Sequence, residues 1–135
     1  METTTRSTRL EALVRAQLRS AASAAAERGT TLDMQVSGPS QPIRADAARV
    51  CEAVAYVLQT AVSHCAAGGR VSIRLEFGAS EAALSASLDG DGLADESRYG
   101  VLDERLSPAR EVFEDHGGTL RLVGRELIAS LAYGS

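Results

Sequence analysis

A chain of 135 residues, 44% apolar and 24% charged, has the size and composition of one globular domain, which excludes wholesale disorder, collagen-like repeats and a disulfide-stapled miniature. Its 14 basic residues, all arginine, are scattered among 18 acidic ones for a net charge of -4, so the basic run expected of a nucleic-acid or membrane-surface binder is missing. No stretch approaches the roughly 18 apolar residues of a membrane helix, and the N-terminus lacks the apolar segment of a secretory leader; a cytoplasmic protein is expected.

In chain order, Leu10, Leu13, Val14, Leu18, Ala21 and Ala25 recur at helical spacing, with Ala16 or Gln17 between them, and predict a helix over 6–28 that Gly29 stops. Leu32, Met34 and Val36 alternate with polar residues, the pattern of a strand, before the loop Gly38-Pro39-Ser40-Gln41-Pro42. Asp46 suits the N-cap of a long helix reaching about Ala66, with Val50, Val54, Val57, Leu58, Ala61, Val62 and Cys65 as its inward stripe. Cys51 and Cys65 are then about 21 Å apart along that helix, too far for a disulfide, and Gly68-Gly69 ends it. A buried cysteine reads as a small hydrophobe.

Val71, Ile73, Leu75 and Phe77, then Ala82, Leu84, Ala86 and Leu88, alternate with polar residues around Gly78-Ala79-Ser80, which predicts a β-hairpin. From Asp89 to Leu106 the periodicity dissolves into a polar, glycine-containing loop, and a loop of that length in a compact domain is usually functional or mobile. Ser107 and Pro108 read as the N-cap and first residue of a short helix ending at Asp115, closed by His116-Gly117-Gly118. Thr119–Val123 and Leu127–Tyr133 are two last strands around Gly124-Arg125-Glu126. This order implies one domain over 1–135: an α/β (α+β) two-layer sandwich, a mixed sheet with helices packed on one face.

Three stretches carry a family resemblance over about Leu10 to Tyr133. Ile43 to Ala66 is similar to a strand end, acidic cap and long helix. Leu88 to Leu93, reading Leu-Asp-Gly-Asp-Gly-Leu, is similar to an aspartate-and-glycine box. Ala109 to Leu120 is similar to a last helix with a His-Gly-Gly exit. Together they resemble the ATP-binding catalytic domain of two-component sensor histidine kinases, of the GHKL group shared with Hsp90, gyrase B, MutL and the anti-sigma serine kinases. The resemblance implies a histidine kinase/Hsp90-like ATPase fold, ATP as ligand, and residues 89–106 as an ATP lid. It carries Asp89 over as the acceptor for the adenine amino group and Gly92, with Gly90, as the glycines that let the backbone approach the ligand. A glycine-rich turn ending a hairpin remains open as the other reading of this segment.

The chain departs from that pattern on the phosphate side. The family's long helix presents two asparagines one turn apart, the second a magnesium ligand through its amide oxygen; the matching positions are Tyr56 and Thr60. Thr60 keeps a hydroxyl, so residual binding there stays open, whereas both substitutions point away from metal-dependent chemistry. The lysine that often follows the second asparagine is replaced by Ser63. The family's second glycine box, whose free N–H groups hold phosphate at a helix start, is replaced by Asp103-Glu104-Arg105-Leu106-Ser107-Pro108, with two carboxylates where phosphate charge lies. Six carboxylates (Asp89, Asp91, Asp95, Glu96, Asp103 and Glu104) crowd the loop.

His64 reads as a partly exposed helix residue and His116 as a helix C-cap; neither is expected to be a phosphoacceptor, and no phosphoacceptor hairpin is expected within these residues. Cysteine and histidine show no metal-site spacing, and without lysine there is no Walker motif. The expectation is a degenerate, stand-alone ATPase-like domain with weak or absent nucleotide binding. It would bind a protein partner (a response regulator, a kinase or a second copy), and neither nucleic acid nor membrane. The alternative is an active kinase acting in trans, as in the anti-sigma serine kinases.

Overall fold

Three helices lie on one face of a five-stranded mixed sheet in the computed structural model, which describes residues 6–65, 68–89, 101–123 and 126–133. The elements are β1 (Arg6–Thr8), α1 (Leu10–Glu27), β2 (Thr31–Ser37), β3 (Ile43–Ala45), α2 (Ala47–His64), β4 (Arg70–Phe77), β5 (Glu81–Leu88), α3 (Val101–Asp115), β6 (Leu120–Val123) and β7 (Glu126–Ala132). The sheet runs β2-β4-β5-β7-β6; β2 and β4 are parallel and every other neighbouring pair is antiparallel. The parallel pair follows from the route of the chain, because β2 reaches β4 only by crossing over through β3 and α2.

Alternation decides which way each strand faces. Val71, Ile73, Leu75 and Phe77 of β4 and Ala82, Leu84, Ala86 and Leu88 of β5 are all buried, while the residues between them are half-buried or exposed. The helical stripes close over this face: Val50, Val54, Val57, Leu58, Ala61, Val62 and Cys65 of the α2 stripe are all buried, as are Leu10, Val14, Ala21 and Ala25 of α1. From the C-terminal half, Phe113 of α3 and Leu120, Leu127 and Leu131 of β6 and β7 complete one continuous core. Cys51 and Cys65 are both free thiols.

Most boundaries agree with the sequence reading to within one or two residues, and two differ by about a turn or more. Helix α1 starts at Leu10 rather than Arg6, because Arg6–Thr8 is taken up as β1, which pairs antiparallel with β3 in a separate two-stranded sheet (Arg6 opposite Ala45, Thr8 opposite Ile43). Helix α3 is longer than expected: it begins at Val101, with Pro108 in its interior instead of at its first position. The reason is Leu106, which is fully buried one turn before Ala109 and two turns before Phe113 on the same apolar stripe. Helix upstream of Pro108 thus adds a buried leucine to that stripe, which offsets part of what an interior proline costs. Residues 101–106, expected as the end of a loop, are therefore helical. Ala66, residues 90–100 of the expected loop, and Gly124 and Arg125 of the last expected turn lie outside the described residues.

The exit from α3 is built on two glycines with different duties. Gly117 has φ 78°, the left-handed conformation that ends a helix, and Gly118 N–H returns to Phe113 O at 2.8 Å. A Cβ on Gly118 would run into the Ser130 carbonyl, so only glycine lets α3 turn this closely onto β7. Among the described residues, no helix is long and apolar enough to cross a membrane.

Candidate functional site

Helix α2 lies between α1 and α3 and carries the two positions that the resemblance gives to asparagines. Its start is set by Asp46, whose carboxylate accepts from Arg49 N–H at 3.3 Å, an N-cap as expected from the sequence. The neighbouring end of α3 is tied to the same turn twice. Asp46 N–H donates to His116 Nε2 at 3.0 Å, and Arg49 Nη2 meets Asp115 Oδ2 at 2.8 Å. The Asp115 hydrogen bond raises the Arg49 pKa above its ordinary value against the opposing effect of burial, with further support from the charges of Asp115, Asp46 and Glu111.

Tyr56 and Thr60, four residues apart, share one face of α2. The Tyr56 ring is half-buried and packs against the core; with Glu52, Ala53, Pro108, Ala109 and Val112 it lines a cavity of about 170 Å³ between α2 and α3. Thr60 is only 8% exposed, and its carbonyl accepts from His64 Nδ1 at 2.9 Å. Among the described residues, no group of three or more His, Cys, Asp or Glu side chains converges as a metal centre would require.

Asp89 leaves β5 exposed, beside the first residue of β4. Its N–H donates to Arg70 O at 3.2 Å and its Oδ2 accepts from Arg70 N–H at 2.9 Å, which extends the β4–β5 ladder by one rung. Arg28 donates to Cys65 O at the end of α2 and accepts from Gly68 N–H just before β4, so Asp89 and the C-terminal end of α2 lie toward the same end of the sheet. Gly90 and Gly92 lie outside the described residues, as do the side chains of Asp103, Glu104 and Arg105, whose backbone forms the opening turns of α3.

The sheet's other face, uncovered by the helices, holds a groove of about 500 Å³ that the sequence reading did not single out. Ser72, Ser85 and Ser87 line its floor, with Ser72 opposite Ser87 and Ser85 opposite Arg74. Its charged side chains pair on the surface, Arg70 Nε with Asp33 Oδ2 at 3.4 Å and Arg74 Nη1 with Glu76 Oε1 at 3.8 Å. Serines at alternate positions of β5 were the signal available in the sequence.

Neither a family model nor a curated protein matches the chain. Solved structures do. The nucleotide-free catalytic domain of histidine kinase ThkA is 19% identical, with 99% of each chain covered and a TM-score of 0.77. The mycobacterial sensor histidine kinase MprB is 18% identical, with 96% of this chain and 97% of that one covered and a TM-score of 0.73. Full-length ShkA in complex with AMPPNP is 19% identical, with a TM-score of 0.81 over 100% of this chain and 32% of ShkA. At these identities the likeness is one of fold: the chain has the histidine kinase ATPase-like fold, a five-stranded mixed sheet with three helices.

Proposed function

We propose that this chain is a histidine kinase-like ATPase-fold module that has lost most of its phosphate-side equipment and works through protein contact in two-component-type signalling. Tyr56 carries this reading: an aromatic ring packs between α2 and α3 at a position the resemblance gives to a phosphate-side asparagine. Magnesium takes oxygen ligands in tight octahedral geometry. A packed phenol and a threonine that is only 8% exposed do not fit a magnesium–nucleotide pair. The partner is a response regulator, a kinase or a second copy of this chain. Fold alone does not carry this assignment; the substituted side chains do.

A second reading, an active kinase acting in trans and similar to the anti-sigma serine kinases, draws on Asp89. Its carboxylate is exposed, and Oδ1 has no partner among the described residues, which leaves an acceptor for an adenine amino group. The AMPPNP complex of ShkA, a structural neighbour, also favours nucleotide binding. A phosphate-release assay with millimolar ATP and magnesium separates the two readings. The protein-contact module releases no phosphate above the blank, whereas release that Asp89→Asn abolishes favours a nucleotide-hydrolysing site, and label passed from gamma-labelled ATP to an added acceptor protein marks it as a kinase.

A further inference from the structure

We propose that His116 is a proton-sensitive clasp that ties the end of α3 to the start of α2 only while its ring is neutral. Both ring nitrogens are engaged by backbone groups whose roles are fixed. Nδ1 lies 2.7 Å from the Val112 carbonyl, which can only accept, and Nε2 lies 3.0 Å from the Asp46 N–H, which can only donate. The ring is therefore the Nδ1–H tautomer, with the Nε2 lone pair holding Asp46. A proton on Nε2 turns that contact into two opposed donors, and the bond is lost.

The surroundings make the contact a junction of elements rather than an isolated surface bond. Asp46 is the N-cap of α2, His116 closes α3, and Ala132 N–H of β7 donates to the His116 carbonyl at 3.2 Å, so three elements meet at this residue. The charged and titratable residues around this junction are Asp46, Arg49 and Glu52 of α2 and its cap, Arg110, Glu111, Glu114 and Asp115 of α3, Arg44 of β3, and, from β7 and the residue after it, Glu126 at the far end and Tyr133 close by, whose carbonyl accepts from Arg44 N–H. The Arg49–Asp115 pair bridges the same two helices independently of the imidazole, so protonation loosens the junction without parting it.

The test is nitrogen-15 NMR on the full chain, which has only two histidines, so a His64→Gln variant leaves the His116 ring as the sole imidazole signal. At about pH 8 the ring is expected to show the Nδ1–H pattern. As the ring titrates, the Asp46 amide resonance shifts in step, and the exchange protection of that amide falls about five- to tenfold beyond the intrinsic pH effect. A His116→Gln variant loses this pH step. An Nε2–H tautomer at neutral pH, or an Asp46 amide indifferent to the ring's titration, overturns the proposal. These two readouts come from the chain with His116 intact, so they decide the matter even where His116→Gln does not fold.

Discussion

Asp89 returns both its main-chain N–H and its carboxylate to Arg70, at 3.2 Å and 2.9 Å, and so acts as the last rung of the β4–β5 ladder. The group to which the family resemblance would assign an adenine contact thus has structural work independent of any ligand. Asp89→Ala removes the side-chain acceptor from an exposed backbone N–H and is expected to cost about 0.5–1.5 kcal/mol in urea unfolding. Asp89→Asn keeps an amide oxygen in place and is expected to cost less. No loss in Asp89→Ala would mean that the side-chain bond to Arg70 carries no stability, and equal losses in the two variants would mean that the charge of the carboxylate, not only an oxygen acceptor, is needed.

The two glycines after α3 are expected to differ in their response to alanine. Gly117→Ala meets a positive φ and a contact with the Ala132 side chain, a cost of about 1–2 kcal/mol. Gly118→Ala drives a methyl group into the Ser130 carbonyl and forces α3 away from β7, which makes it the more damaging change. Thermal melts of both variants give the ranking directly.

The start of α3 separates two mutations that the local sequence would rank the other way. Ser107 is exposed inside the helix rather than capping it, so Ser107→Ala is expected to be neutral or to stabilise by about 0.5 kcal/mol through helix propensity. Leu106→Ala empties a fully buried position and is expected to cost about 2–5 kcal/mol. Urea denaturation checks both; a loss of about 1 kcal/mol at Ser107 would restore its role as a cap.

Tyr133 gives the fold a dependence on alkaline pH. Its hydroxyl donates to the Gly78 carbonyl at 2.6 Å, and burial, followed by the negative charge of Glu81, raises its pKa above that of an ordinary phenol. The folded state therefore holds the phenolic proton more tightly than the unfolded chain does. The stability from this effect is fully present below the usual phenol pKa and is lost as pH rises through the raised value. Urea midpoints of the parent protein are expected to fall above about pH 10, and Tyr133→Phe to remove that part of the fall.

What the sequence made legible was the part governed by local periodicity. The α2 stripe from Val50 to Cys65 and the alternation of Val71 to Leu88 specify their own buried faces, and the structure buries each of those side chains. What it hid depended on distant partners. Arg6–Thr8 has no apolar period and becomes a strand only because Ile43–Ala45 pairs with it. Ser107-Pro108 has the chemistry of a helix start, yet the burial of Leu106 carries the helix through it. At the candidate site, Tyr56 and Thr60 were readable as departures from a pattern, whereas the attachment of Asp89 to Arg70 and of His116 to Asp46 required the fold.

The central claim, that the fold is retained while the phosphate side is lost, is tested most directly by titration calorimetry of the full chain with ATP and ADP, with and without magnesium. The expected result is no saturable heat, or a dissociation constant weaker than about 1 mM that magnesium does not improve. Micromolar binding that magnesium strengthens and Asp89→Asn abolishes would contradict it.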